Sequence, residues 1–206
     1  MRNNKANILQ NASGILSSLA SVIFWLTIIF GFEEPAMAVA TIFAAVIHEL
    51  GHILYLWRTT GEGNIRGVLS GFRIKPGSEL SYGQEFLLYL SGPAVNLLAA
   101  FLLWLPSRFG APTQAEGIIA NLITALSNLL PIEGYDGYGA LRAIIRAFDK
   151  DTMVFEKALR CFSCVLIFIL CIFSLYLIDR FGGGYWIFAI FFASMMKKMS
   201  RGLPKE

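Results

Sequence analysis

Apolar residues in this 206-residue chain gather into long runs rather than alternating with polar ones. Six runs stand out: Ile15–Phe32, Ala36–Trp57, Phe86–Leu105, Ile118–Ile132, Cys161–Ile178 and Tyr185–Met199. Each is near the length of a membrane-crossing helix and almost free of basic residues. The pattern predicts an all-α polytopic membrane protein with about six transmembrane helices in a single domain, residues 1–206. The first run is too long for a plain signal peptide and is expected to remain as an anchor. One stretch breaks the pattern. Arg58 to Gln84 carries six glycines, alternates partly between Asn64 and Lys75, and contains the turn pair Pro76-Gly77. It predicts a small β-hairpin or sheet between the second and third helices.

Charge sets the orientation. With the N-terminus in the cytosol, 15 of the 17 Lys and Arg residues fall on the cytosolic side, leaving only Arg108 and Arg180 opposite. That asymmetry predicts an N-in, C-in arrangement and supports an even number of spans. Composition agrees: 56% of residues are hydrophobic, 15% are charged, and the mean hydropathy is +0.61. Soluble domains carry about 25% charged residues. A net charge of only +3, with no basic stretch interleaved with aromatics, argues against a nucleic-acid partner. The lipid bilayer is the expected surroundings. Cys161 and Cys164 have the spacing of a metal pair, but no second pair accompanies them. With Cys171 they are expected to be buried, inert thiols.

The second run contains His48-Glu49-Leu50-Gly51-His52. Residues four apart on a helix share one face, so both imidazoles can reach one ion at about 2.0–2.1 Å. Glu49 stands beside them as a candidate general base acting on water. These are the only two histidines in the chain. Chance would place them four apart with Glu in that position in roughly one case in two thousand. Ionisable groups inside an apolar span are costly and mark function by default.

A catalytic zinc takes three protein ligands and keeps a fourth position open. Asp136 is the candidate third ligand, with Glu133 as its rival. Pro131 ends or kinks the fourth helix, and irregular backbone near a membrane is tolerated only inside protein or beside a wet cavity. The fourth run's 15 residues extend about 22 Å against a hydrocarbon core of about 30 Å. It can therefore stop below the surface, bringing Asp136 to the depth of the histidines. His48 lies nine residues before Trp57, about 14 Å from the cytosolic end. In the third run, Gly92-Pro93 implies a kink. Asn96 is then a polar group at membrane depth, able to bond a substrate backbone or a neighbouring helix.

Three motifs in order give the chain a family resemblance: HExxH as His48–His52, GPxxN as Gly92–Asn96, and NxxPxxxxDG as Asn128–Gly137. The sequence resembles the site-2 protease family of intramembrane zinc metalloproteases (peptidase family M50). Its layout is similar to the compact bacterial branch that includes the sporulation protease SpoIVFB. The resemblance implies one Zn2+ per chain held by His48, His52 and Asp136, with Glu49 as the catalytic base. It implies that Asn96 and Asn128 help position substrate or the active-site loop. It also implies that an edge strand in the loop after the second helix pairs with unwound substrate. The expected partner is a transmembrane protein or peptide, cut in or near its membrane segment from the cytosolic side of a bacterial cytoplasmic membrane. The chain ends seven residues after Met199, so regulation through a C-terminal nucleotide-sensing or PDZ domain is not expected. Two other classes share some features. A catalytically silent metal-containing membrane binding protein would not need an intact Glu49. A metal transporter would need ligands repeated through the membrane thickness, whereas one cluster is present.

Overall fold

In the computed structural model, the structure describes residues 30–31, 33–60, 80–148, 153–181 and 191–192. Nearly all of the first and sixth apolar runs, and the glycine-rich segment 61–79 with its expected hairpin, lie outside the described residues. Among the described residues the architecture is helical, with no strand. The helices are α1 (Pro35–Thr60), α2 (Tyr82–Trp104), α3 (Ala115–Asn128), α4 (Asp136–Phe148) and α5 (Met153–Phe181). A short 3-10 helix, Leu105–Phe109, follows α2.

Three segments are long and apolar enough to cross a membrane: Pro35–Thr60, Tyr82–Phe109 and Met153–Arg180. Their outer faces match that solvent. On α1, Phe43, Val46, Leu50, Leu54 and Trp57 are all exposed. In water such a face would be a large apolar patch; in hydrocarbon it is the natural boundary. The chain is thus an integral membrane protein. Several hydroxyls in the helices are satisfied locally, as lipid demands. The hydroxyls of Thr41, Thr59 and Thr60 each donate to the carbonyl four residues earlier.

The buried face of α1 is a stripe of small residues and the two histidines: Ala38, Thr41, Ala44, His48, Gly51 and His52, ending at Leu56. It faces α2, which is the hub and packs against α1, α3 and α4. Small residues let helix backbones approach closely, which is how helices associate without a hydrophobic drive. At one close approach a Cβ on Gly51 would lie 2.7 Å from the Ser91 carbonyl oxygen. Ser81 opens α2 with a reciprocal capping box to Gln84. The helix runs unbroken through Pro93.

The short fourth element has the expected consequence. With 14 residues, α3 extends only about 21 Å. Its exit is a tight turn in which Ile132 N–H donates to the Leu130 carbonyl and Tyr135 N–H to the Ile132 carbonyl, with Gly134 at φ +104°. Asp136 then begins a new helix. That helix is an addition to the six apolar runs: the stretch between the fourth and fifth runs contains α4. Its Arg142 and Arg146, two of the charges that set the orientation, reach Glu156 on α5 at 2.9 and 3.6 Å.

The Gly51 contact yields a stability prediction. Gly51→Ala should destabilise the fold by about 1–3 kcal/mol, read as a lower midpoint of thermal unfolding in detergent, because the added methyl meets rigid backbone. Gly83→Ala, with open space around it, should leave the midpoint unchanged or slightly raised.

Candidate metal centre

His48 and His52 project from one face of α1 into the α1–α2 contact, where they are 4% and 6% exposed. Their rings meet edge to face, with centroids 4.8 Å apart. Asp136 enters from the start of α4. The three donor atoms converge: His48 Nε2 to Asp136 Oδ2 is 2.9 Å, His52 Nε2 to Asp136 Oδ2 is 3.1 Å, and the two Nε2 atoms are 3.2 Å apart. Among the described residues this is the group of three that could hold a metal ion.

The ring protons can be placed by accounting. His52 Nδ1 lies 2.8 Å from the Leu88 carbonyl, which only accepts, so Nδ1 carries the proton. His48 Nδ1 lies 2.8 Å from Asn96 Oδ1. Asn96 Nδ2 donates to the Ala44 carbonyl at 2.9 Å and to Asn121 Oδ1 at 2.8 Å. The Ala44 carbonyl fixes which end of the Asn96 amide is nitrogen, so its oxygen faces His48, and His48 Nδ1 must donate. As neutral rings, both imidazoles would therefore present Nε2 lone pairs toward each other and toward a carboxylate oxygen. Three acceptors at about 3 Å repel unless a cation or added protons join them. Tetrahedral zinc, with ligands at about 2.0–2.1 Å, requires donors roughly 3.3 Å apart. The donor set and its spacing fit such an ion, and each imidazole already has the outer hydrogen bond that metal-binding histidines use.

Glu49, next to His48, has one carboxylate oxygen, Oε2, buried and without a hydrogen-bond partner among the described residues. A buried carboxylate oxygen is expensive to leave unpaired and is suited to receive a proton-bearing ligand. Gly92 makes the site possible. A Cβ there would lie 2.5 Å from His52 Nε2 and 2.8 Å from His48 Nε2. The α2 backbone can approach the donor atoms only because this residue has no side chain.

The other sequence candidates fall in different places. Asn96 is fully buried behind His48 and bonds α1 and α3 at once. Asn128 Nδ2 donates to the Thr124 carbonyl within α3. Glu133 stands apart from the donor group, its carboxylate 4.0 Å from the Arg160 guanidinium on α5. Cys161 and Cys164 are exposed on α5 rather than buried as expected; only Cys171 is buried. Sequence reading missed Asn121, Ser91 and the Leu88 carbonyl. Asn121 is 3% exposed and links Asn96 to the Gly117 carbonyl. A second asparagine in an apolar span was the available signal for it. A backbone carbonyl such as that of Leu88 has no sequence signature.

No protein-family model matches the chain, and no curated protein matches it. Among solved structures it is similar to the site-2 protease from Methanocaldococcus jannaschii, with a TM-score of 0.61, 20% identity and coverage of 89% of each chain. The two share a fold.

Two outcomes follow for metal content. Asp136→Ala should lose metal from the purified chain, whereas Glu133→Ala should keep it; elemental analysis decides, and the reverse result would reassign the third ligand. Asn96→Ala should weaken metal affinity about 10–100-fold in chelator competition, because His48 loses the partner that fixes its tautomer.

Proposed function

We propose that the chain is an intramembrane zinc endopeptidase of the site-2 protease type, hydrolysing a peptide bond in or near a transmembrane segment of a membrane protein. The observation that carries this reading is the convergence of two imidazole lone pairs and a carboxylate beside the buried, unpartnered oxygen of Glu49. The shared fold supports it. His48, His52 and Asp136 would hold the ion. The chemistry zinc supplies at such a site is Lewis acidity toward a carbonyl and toward water. The remaining work belongs to the chain's own groups. Glu49 accepts a proton from the attacking water and delivers it to the leaving amine as the carbon–nitrogen bond breaks. Asn96 and the Leu88 carbonyl hold the two rings so that both lone pairs stay inward.

The substrate must present an extended segment, because a membrane helix hides its peptide groups in its own hydrogen bonds. An edge strand in the glycine-rich stretch between α1 and α2 is proposed to hold it by strand addition. The distribution of Lys and Arg favours a site reached from the cytosolic side, since His48 and His52 lie in the half of α1 that leads to Arg58.

The test compares Glu49→Gln with wild type, using single-span membrane proteins in detergent and mass spectrometry of the products. Cleavage should fall about 10²–10⁴-fold with metal content unchanged. Equal rates for the two proteins would remove Glu49 from the mechanism.

A further inference from the structure

The two histidines and the aspartate are held in place very differently. Each imidazole has its own outer partner, supplied by α2. The hydrogen bonds of the Asp136 carboxylate run to the histidines themselves. Its position therefore depends on the backbone that carries it, the turn between α3 and α4.

That turn is docked on α5 at two adjacent residues. Ile132 is 0% exposed and sits in a cluster with Ile167, Cys171 and Phe191, with Leu166 and Leu170 packed at its edge. Glu133 N–H donates to Ser163 Oγ at 2.8 Å, and Ser163 is itself 0% exposed. Pro131 contributes no N–H, and the N–H groups of Ile132 and Tyr135 close bonds inside the turn. Glu133 N–H thus gives the turn a backbone hydrogen bond to another helix. It lies three residues before Asp136, while α5 otherwise touches the rest of the described bundle sparsely.

We infer that α5 is the buttress of the third metal ligand: Ser163, through Glu133 N–H, and Ile167, through Ile132, are positioning residues for the Asp136 carboxylate. This rests on the metal reading given above. Removing the Ser163 hydroxyl takes away the acceptor of the half-buried Glu133 N–H, and the turn shifts to find another. A carboxylate displaced by a fraction of an ångström loses affinity for an ion that the imidazoles still hold. Ser174 provides an internal comparison. It too is a buried serine on α5, 2% exposed, but its hydroxyl donates to the Cys171 carbonyl of its own helix, eleven residues beyond Ser163.

The experiment measures zinc affinity of the full-length detergent-purified chain by competition with a chromophoric chelator, for wild type, Ser163→Ala, Ser174→Ala and Ile132→Val. Ser163→Ala should bind zinc about tenfold more weakly, and Ile132→Val severalfold more weakly, with Ser174→Ala at the wild-type value. Peptide cleavage by Ser163→Ala should be low at limiting zinc and recover at excess zinc with unchanged KM. If Ser163→Ala does not fold, Ile132→Val against Ser174→Ala carries the same comparison. Wild-type affinity in both Ser163→Ala and Ile132→Val, or equal weakening in Ser163→Ala and Ser174→Ala, would overturn the inference. A wild-type chain that binds no zinc would instead overturn the metal reading beneath it, and the inference with it.

Discussion

Three potential donor atoms, His48 Nε2, His52 Nε2 and Asp136 Oδ2, lie within 3.2 Å of one another inside an apolar helix bundle, and the Nδ1 protons of both rings are turned to acceptors behind them. An arrangement of this kind is unfavourable by several kcal/mol in a low-dielectric interior unless positive charge joins the atoms. The rest of the described structure is organised around producing it. Both imidazoles are turned by acceptors behind them, so their free nitrogens face inward. The carboxylate arrives on a separate helix that begins at the required depth.

Close helix contact is the second requirement. The α1–α2 interface is built from small residues, and its two tightest points, Gly51 and Gly92, flank the histidines. Without them the Leu88 carbonyl and the Asn96 amide could not reach the rings. Asn96 and Asn121 then convert a contact between two helices into one among three, since Asn96 bonds α1 and α3 together. The stability of the bundle and the geometry of the site thus come from the same few contacts. Glu49 is the exception. Its unpartnered oxygen contributes nothing to packing and is a destabilising feature unless it has a chemical use.

Much of this was legible in the sequence, because its signals are local. Paired histidines four apart need only the helical repeat to be placed on one face. The brevity of the fourth apolar run, with Pro131 at its end, indicated that Asp136 rather than a residue at the membrane surface would meet them. What stayed hidden depends on tertiary contact. Helix α4 is not an apolar run of membrane-span length, so run-finding passes over it; in the structure its Gly137 and Gly139 lie close against the Leu129 carbonyl and the Tyr89 ring. Ser163 looks like any small polar residue in a span until the turn beside it is known to need an acceptor. Burial of the cysteines was misjudged for a related reason. Among the described residues, the buried positions of α5 form a narrow stripe through Ser163, Ile167, Cys171 and Ser174, and residues 161 and 164 fall outside it.

The most direct measurement is X-ray absorption at the zinc edge on the purified, zinc-loaded chain. The account predicts imidazole nitrogen and carboxylate oxygen scatterers at about 2.0–2.1 Å, with multiple scattering from two imidazole rings and no sulfur. Scatterers near about 2.3 Å, the signature of thiolate, or an oxygen-only shell would contradict it.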